Sequence, residues 1–274
     1  MATFNPVPAA FQTIPWFNTV PFVTGYEWAY VSATVFSLAP GGARAYSNDV
    51  VALQSTLEIN TTENIFVDVS TVGVNGCWPL PLSFFAADTV LPVYVLEDSS
   101  GGNATAAVVA TGNNFLPAGV LPTGYDSWRR VASIYINHTT DELYAMTQYG
   151  SNDVRRYQLA APLTALSGGS ADTATAIVLN SGALPVPTYA IEVIGNLSFT
   201  PGTVGDSTML NDTATATGQV ILQPSAQAIE TIPYSISPAL VSGAPTIYYT
   251  NSTTGGATTV TVSGWVESLA LNIV

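Results

Sequence analysis

Apolar and polar residues alternate along residues 124–159 with the two-residue period of β-strands. Turn-forming residues at 137–141 and 150–153 divide this stretch into segments 130–136, 143–149 and 154–159. The pattern predicts a three-stranded antiparallel meander. In the first segment, each set of alternate side chains is predicted to line one face: Arg130, Ala132, Ile134 and Ile136 on one, and Val131, Ser133 and Tyr135 on the other.

Further strand patterns recur along the chain, and no long helical pattern accompanies them. Residues 163–166 are predicted to form a short helical or irregular crossover, and Pro92 places the start of its strand at a sheet edge. More than ten short strands predict an all-β fold, an antiparallel, jelly-roll-like β-sandwich over residues 41–274. The other strand candidates are residues 26–38, 50–57, 64–69, 90–97, 106–110, 175–179, 189–195, 216–222, 230–237, 246–250 and 258–267.

The N-terminal stretch is rich in proline and aromatic residues and is predicted to be an extended arm. Residues 1–40 are assigned to this arm and a first strand, and the glycine-rich turn at residues 40–42 marks the boundary. Two interpretations stay open: the arm lies on a partner, or it folds back over its own sandwich. Its predicted docking residues are Phe11, Trp16, Phe17 and Phe22.

The charge content is low for a chain of 274 residues, because only 8 % are charged. The net charge is −13, and all five basic residues are arginines. An acidic chain without a basic patch argues against nucleic-acid binding. Few charges combined with many β-forming residues favour a subunit of an assembly. No apolar run reaches membrane-spanning length, and no signal peptide is evident, so we expect synthesis in the cytoplasm.

The residues that usually carry catalysis are scarce. One histidine, His138, and no lysine exclude most catalytic sets, and the scattered carboxylates suggest no acid–base pair. We therefore expect no enzymatic activity, no metal and no cofactor. Cys77 is predicted to be buried. A buried role is also favoured over sugar stacking for the tryptophans Trp78, Trp128 and Trp265, and structural roles are predicted for the arginines Arg129, Arg130, Arg155 and Arg156.

Several short motifs resemble a β-sandwich domain that recurs in tail, fibre and head-surface proteins of tailed bacteriophages. The similarity covers roughly residues 40–270 and departs at residues 77–81. The motifs, in chain order, are Ala43–Asp49, Thr71–Gly76 followed by Val93–Leu96, Pro122–Tyr125, Arg129–Val131, Thr147–Gly150, Ile247–Tyr249 and Val260–Trp265.

The resemblance implies a structural protein of a phage virion with no enzymatic activity. One compact domain with an N-terminal arm and no fibre shaft favours a head decoration, cement or head-fibre subunit displayed on the particle surface. A homotrimer is expected by analogy with virion jelly rolls. The alternative is a tail-fibre or receptor-binding module that recognises host surface glycan. The expected partners are other virion proteins, from the capsid, the portal or connector, or the tail.

Overall fold

The computed structural model describes residues 23–47, 58–80, 89–98, 100–102, 105–110, 121–137, 140, 142–150, 152–181, 184–215 and 218–269. The predicted docking residues of the N-terminal arm and His138 lie outside these ranges. Every helix or strand assigned in the described residues is a β-strand, which confirms the predicted all-β class. The strands are β1 (Val23–Gly25), β2 (Trp28–Tyr30), β3 (Val35–Leu38), β4 (Gly41–Arg44), β5 (Tyr46–Ser47), β6 (Glu58–Thr61), β7 (Ile65–Asp68), β8 (Cys77–Trp78), β9 (Thr89–Glu97), β10 (Ala106–Ala110), β11 (Ser127–Asn137), β12 (Glu142–Leu143), β13 (Met146–Tyr149), β14 (Val154–Gly169), β15 (Thr175–Val178), β16 (Ala190–Thr200), β17 (Thr208–Asn211), β18 (Val220–Leu222), β19 (Glu230–Ile236), β20 (Ala239–Val241), β21 (Ala244–Asn251) and β22 (Ala257–Ser268).

The strands form five sheets. Three contain strands from the first half of the chain: β1-β4-β6, β2-β3-β7 and a six-stranded sheet, β12-β11-β9-β10-β8, in which β5 also pairs with β11. The central sheet has the order β13-β14-β22-β16-β19, and the uncharged sheet has the order β15-β21-β17-β18 with β20 beside β21. Pairing between the named strands is antiparallel except between β8 and β10, consistent with the predicted antiparallel sandwich.

Two large hydrophobic cores meet along the central sheet. Its long strands β14 and β22 supply Tyr157 and Trp265 to the core of the first half, where the two rings stack with centroids 5.1 Å apart. Nearer the start of β22, Val260 and Val262 enter the core of the second half. A smaller third cluster forms around Tyr94 and Trp128. The central sheet therefore serves as a shared wall for both cores.

The strands that precede residue 40 pack with those that follow it. Tyr26, Phe36 and Leu38 are fully buried in the same core as Ala43 and Ile59. Strand β4, which pairs with β1, contains Gly41 and Gly42. The turn predicted at residues 40–42 is therefore wrong for these two glycines. Packing is continuous across the expected boundary at residue 40.

The predicted three-stranded meander is confirmed in its two hairpin pairings but is divided between two sheets. Strand β11 pairs with β12 in the six-stranded sheet, whereas β13 pairs with β14 in the central sheet. The predicted middle strand is divided into β12 and β13, and the chain passes between sheets at Tyr144 and Ala145. Residues 163–166 belong to the 16-residue strand β14, so the predicted crossover is wrong. Alternation indicates which face a residue occupies, but it does not encode the strand partner.

Pro92 lies where β9 has a neighbour on one side only among the described residues, which exclude 111–120 after β10. Its register partner is Ser133 on β11, and the pairing of β9 with β10 begins at the next residue, Val93. The pairing of the described residues agrees with the edge position expected for this proline. A proline has no backbone N–H to donate, so it is tolerated where one side of the strand is unpaired.

Candidate functional site: a buried arginine network

A β-bulge in β11 decides which side chains share a face with Arg130. Arg130 lies opposite Tyr94 on β9, but Ala132 lies opposite the next residue, Val93. The extra residue, Val131, places Arg130 and Ser133 on the same face of the sheet. The predicted grouping of Arg130 with Ala132 is therefore wrong, because a bulge reverses the alternation beyond it.

Arg130, Ser133, Tyr157, Tyr189 and Glu267 form one hydrogen-bonded network, which we call the arginine network. Arg130 Nη2 donates to Glu267 Oε2 at 2.7 Å and to Ser133 Oγ at 2.8 Å. The second oxygen of Glu267, Oε1, accepts a hydrogen bond from the Tyr157 hydroxyl at 2.9 Å. The guanidinium lies 3.7 Å above the ring of Tyr189, a cation–π contact. Both Glu267 oxygens and the guanidinium thus have charged or polar partners.

Ser133 and Tyr157 connect the ion pair to the protein backbone. The backbone N–H of Ser133 donates to Tyr157 Oη at 2.9 Å, while the Ser133 hydroxyl donates to Glu267 Oε2 at 2.9 Å. The Tyr189 hydroxyl lies 3.1 Å from Ser133 Oγ. Because β11, β14 and β22 each contribute a member, the network fixes the six-stranded sheet against the central sheet.

The network is shielded from solvent except at Tyr189, which is half-buried. The side chains of Arg130 and Glu267 are 2 % and 0 % exposed. Burial lowers the pKa of Arg130, but the Glu267 carboxylate and the surrounding phenols more than offset this effect and raise it above the ordinary value. The guanidinium therefore stays charged. Arg130, Ser133, Tyr157 and Glu267 are buried and hydrogen-bonded to one another, so the geometry of this set is that of a scaffold.

The other arginines of the two Arg-Arg pairs differ in their surroundings. Arg129 is buried and its Nη2 donates to the carbonyl of Leu269 at 2.8 Å. Arg155 is fully buried and donates to the carbonyls of Gly150 and Gly25, the latter at 2.6 Å. Arg156 is exposed, as expected for the next residue of a strand, and forms no ion pair with the described residues.

Arg155 attaches the first described strand to the β13–β14 turn, and we expect an Arg155→Met variant to loosen it. The loss of two charge-assisted hydrogen bonds should lower the free energy of unfolding by about 2–4 kcal/mol. Amide hydrogen exchange at Val23–Gly25 should also accelerate. Arg156→Met is the matched control and should change stability by less than about 0.5 kcal/mol. Equal effects of the two substitutions would contradict the assignment.

The phenols of the network predict an alkaline limit to stability. Burial, and then Glu267, raise the pKa of Tyr157 well above its ordinary value. Burial also raises the pKa of Tyr189, to about 12, although Arg130 opposes the shift. In the unfolded chain these phenols titrate near about pH 10. Above that pH the unfolded state releases protons that the folded state retains, so stability falls as pH rises.

Urea unfolding across this alkaline range measures the effect. The midpoint should be steady below about pH 8. It should begin to fall at about pH 8.5, where the Cys77 thiol ionises in the unfolded chain but not in the folded one, and fall more steeply between about pH 10 and 12. Tyr189→Phe should make the decrease shallower, because it removes one of the retained protons. A midpoint that stays constant across this range would contradict the assignment.

The remaining residues selected from the sequence are mostly buried. Cys77 is buried as predicted, donates to the carbonyl of Val69, and has a pKa raised to about 12, chiefly by burial. Trp128 and Trp265 are buried in the cores, so they cannot stack on a sugar from solvent. Trp78 is half-buried against the third cluster. In the described part of the chain, no cluster of three His, Cys, Asp or Glu side chains could hold a metal ion.

Glu267, Ser133, Tyr157 and Tyr189 were not selected from the sequence as members of a site. One signal could have indicated Glu267: it follows the core residue Trp265 by two positions, and alternation places both on the same inward face. A carboxylate at a core position requires a cation, and this chain has only five.

Comparison with known proteins gave no relative: no protein-family model matches the chain, and no curated protein matches it. The described residues contain no helix with the length and apolar character needed to cross a membrane.

Proposed function

We propose that the chain is a structural protein of a tailed-phage virion without enzymatic activity, a decoration, cement or head-fibre subunit displayed on the particle surface. The sequence motifs that resemble phage surface domains support this proposal. Several of their residues have structural roles in this fold, since Arg129 and Arg130 are buried and hydrogen-bonded and Trp265 stacks in the core. Such residues belong to a scaffold, which agrees with a protein whose work is assembly.

The observation that carries the proposal is the composition of the uncharged sheet. Its five strands, β15, β17, β18, β20 and β21, contain no Asp, Glu, Lys or Arg. Ile177 and Leu222 face the core, while their neighbours Val178 and Ile221 are 39 % and 54 % exposed. In a chain of net charge −13, such a face can meet a second copy without placing like charges together.

Self-association through the uncharged sheet is the expected behaviour of the purified chain, with a trimer as the proposed state. Replacing both Val178 and Ile221 with Asp should yield a monomer in light scattering at micromolar concentration. Each copy would then bring like charges to the contact. Val154→Asp is the control, because Val154 is 54 % exposed on the central sheet instead. A monomeric parent chain, or a double variant that still assembles, would refute the proposed interface.

The copy number per particle tests the location in the virion. Hundreds of labelled subunits per particle support a head decoration role. Tens or fewer support the second candidate, a tail-fibre or receptor-binding module that recognises host surface glycan. The second candidate is favoured by an open polar cleft at the β6–β7 turn. Particles that lack the chain altogether would refute both roles.

The N-terminal segment is the proposed attachment element to capsid, portal, connector or tail proteins. Deletion of residues 1–22 should leave a folded protein, because the described strands and cores are built from residues 23–269. Val23 itself is held by its N–H, which donates to Asp153 Oδ1 at 2.9 Å. We expect this truncated chain to fail to join particles. Normal occupancy of the truncated chain would show that attachment uses another surface.

A further inference from the structure

An open cleft of about 470 Å³ lies beside the turn between β6 and β7. Residues 60–66, which run from the end of β6 through the turn to Phe66 of β7, form most of the lining. Asn75, from the loop between β7 and β8, and Thr105, just before β10, complete the lining. The cleft is therefore assembled from three separate segments of the chain and lies apart from the arginine network.

The lining combines planar polar groups with one exposed aromatic ring. Three carboxamides, of Asn60, Asn64 and Asn75, stand beside threonine hydroxyls and the single carboxylate of Glu63. Asn75 is held in place, because its Oδ1 accepts the N–H of Ala107 at 3.0 Å and its own N–H donates to the Ala107 carbonyl at 2.6 Å. Its Nδ2 hydrogens are therefore the group that it can offer to a ligand.

Phe66 is exposed because its neighbours on the sheet are small. The residue opposite it on β3 is Ser37, and the residue opposite Ser37 on β2 is Ala29. Neither side chain can cover the ring, which remains 57 % exposed. A flat apolar ring beside carboxamides and hydroxyls matches a ligand that has one apolar face and a polar edge.

We propose that this cleft binds a neutral saccharide. The C–H face of a pyranose packs on an aromatic ring, while its hydroxyls exchange hydrogen bonds with amides, hydroxyls and a carboxylate. Glu63 in the lining and the net charge of −13 disfavour sugars or nucleotides that carry carboxylate or phosphate groups. A single carboxylate is also too few ligands for a dedicated cation site. The inference rests on the glycan-recognition role proposed above.

The test uses the purified chain alone, so its failure is distinct from failure to find the chain in particles. Saturation-transfer NMR with glucose, galactose and N-acetylglucosamine should detect weak, saturable binding of at least one sugar, in the range of about 1–10 mM. Phe66→Ala should weaken that binding by about tenfold or more and leave the circular dichroism spectrum and melting temperature unchanged. Tyr149→Ala is the matched control, since Tyr149 is 50 % exposed on the central sheet and outside the cleft.

Two further measurements complete the test. Asn64→Ala should also weaken binding, because the carboxamide belongs to the lining. Sialic acid, an anionic sugar, should bind more weakly than the best neutral sugar. Absence of saturable binding for every neutral sugar, unchanged binding by the Phe66→Ala variant, or a preference for sialic acid would each overturn the proposal.

Discussion

Replacing Glu267 with Gln is expected to destabilise the protein by about 3–5 kcal/mol, the cost of leaving a buried charge without its partner. The substitution keeps the shape of the side chain but removes the carboxylate that pairs with Arg130 at 2.7 Å. The guanidinium would stay at 2 % exposure, where water cannot replace the lost partner. The melting temperature should fall by roughly 2–4 °C per kcal/mol, and chemical unfolding gives the free energy directly.

The control for Glu267→Gln is Glu230→Gln, which changes an exposed carboxylate on β19. It should alter the free energy of unfolding by less than about 0.5 kcal/mol. Adding Arg130→Met to Glu267→Gln tests the pairing itself. Because the double variant leaves no unpaired charge, its loss should be smaller than the sum of the two single losses by about 0.5–3 kcal/mol. Additive losses, or a stable Glu267→Gln variant, would contradict a stabilising ion pair.

Gly264→Ala is expected to cost about 3 kcal/mol, at the upper end of the range for inserting a methyl group into a packed interior. Gly264 lies in the middle of β22, opposite Gln158 of β14 and Ile194 of β16. A Cβ at this position would collide with the carbonyl oxygen of Tyr157 and lie 3.0 Å from its carbonyl carbon. These are backbone atoms of the adjoining strand, so no side-chain rotation can relieve the contact.

The matched control for Gly264 is Gly255→Ala. A Cβ at Gly255 would make ordinary van der Waals contact, with Gly202 Cα the nearest atom at 3.6 Å. We expect this variant to keep its stability within about 0.5 kcal/mol. If the Gly264→Ala chain fails to fold while the Gly255→Ala chain folds, the result supports a backbone contact between Gly264 and Tyr157 that leaves no room for a methyl group. A Gly264→Ala protein with an unchanged melting temperature would show that the strands separate at little cost.

The strands that the sequence predicted best are short apolar runs with clear turn residues beside them. Residues 106–110 match β10 in both bounds, and residues 90–97 match β9 within one residue at the start. Prediction failed where the environment changes within a segment. Residues 143–149 were predicted as one strand, but two residues between β12 and β13 carry the chain from one sheet to another.

The sequence indicated the buried arginines but not their hydrogen-bond partners. Arg129, Arg130 and Arg155 are buried and hydrogen-bonded, in agreement with the structural role predicted for them, whereas Arg156 is exposed. The partner of Arg130 could not be predicted, because Glu267 is 137 residues away along the chain. Ser133 faces the network only because of the bulge at Val131, a one-residue register change that no local sequence pattern predicts.

The sequence by itself determined the class of this protein. A two-residue period, frequent turn residues and the lack of long helical patterns specify β-strands, because alternation is a local consequence of backbone geometry. It also determined that a buried carboxylate would have few possible partners, since only five cations are present. A buried charge without a partner is costly. The tertiary structure alone decided which strands pair, where β11 bulges and that Glu267 meets Arg130. These outcomes depend on the simultaneous burial of distant segments, and their free energies are not contained in any one of those segments.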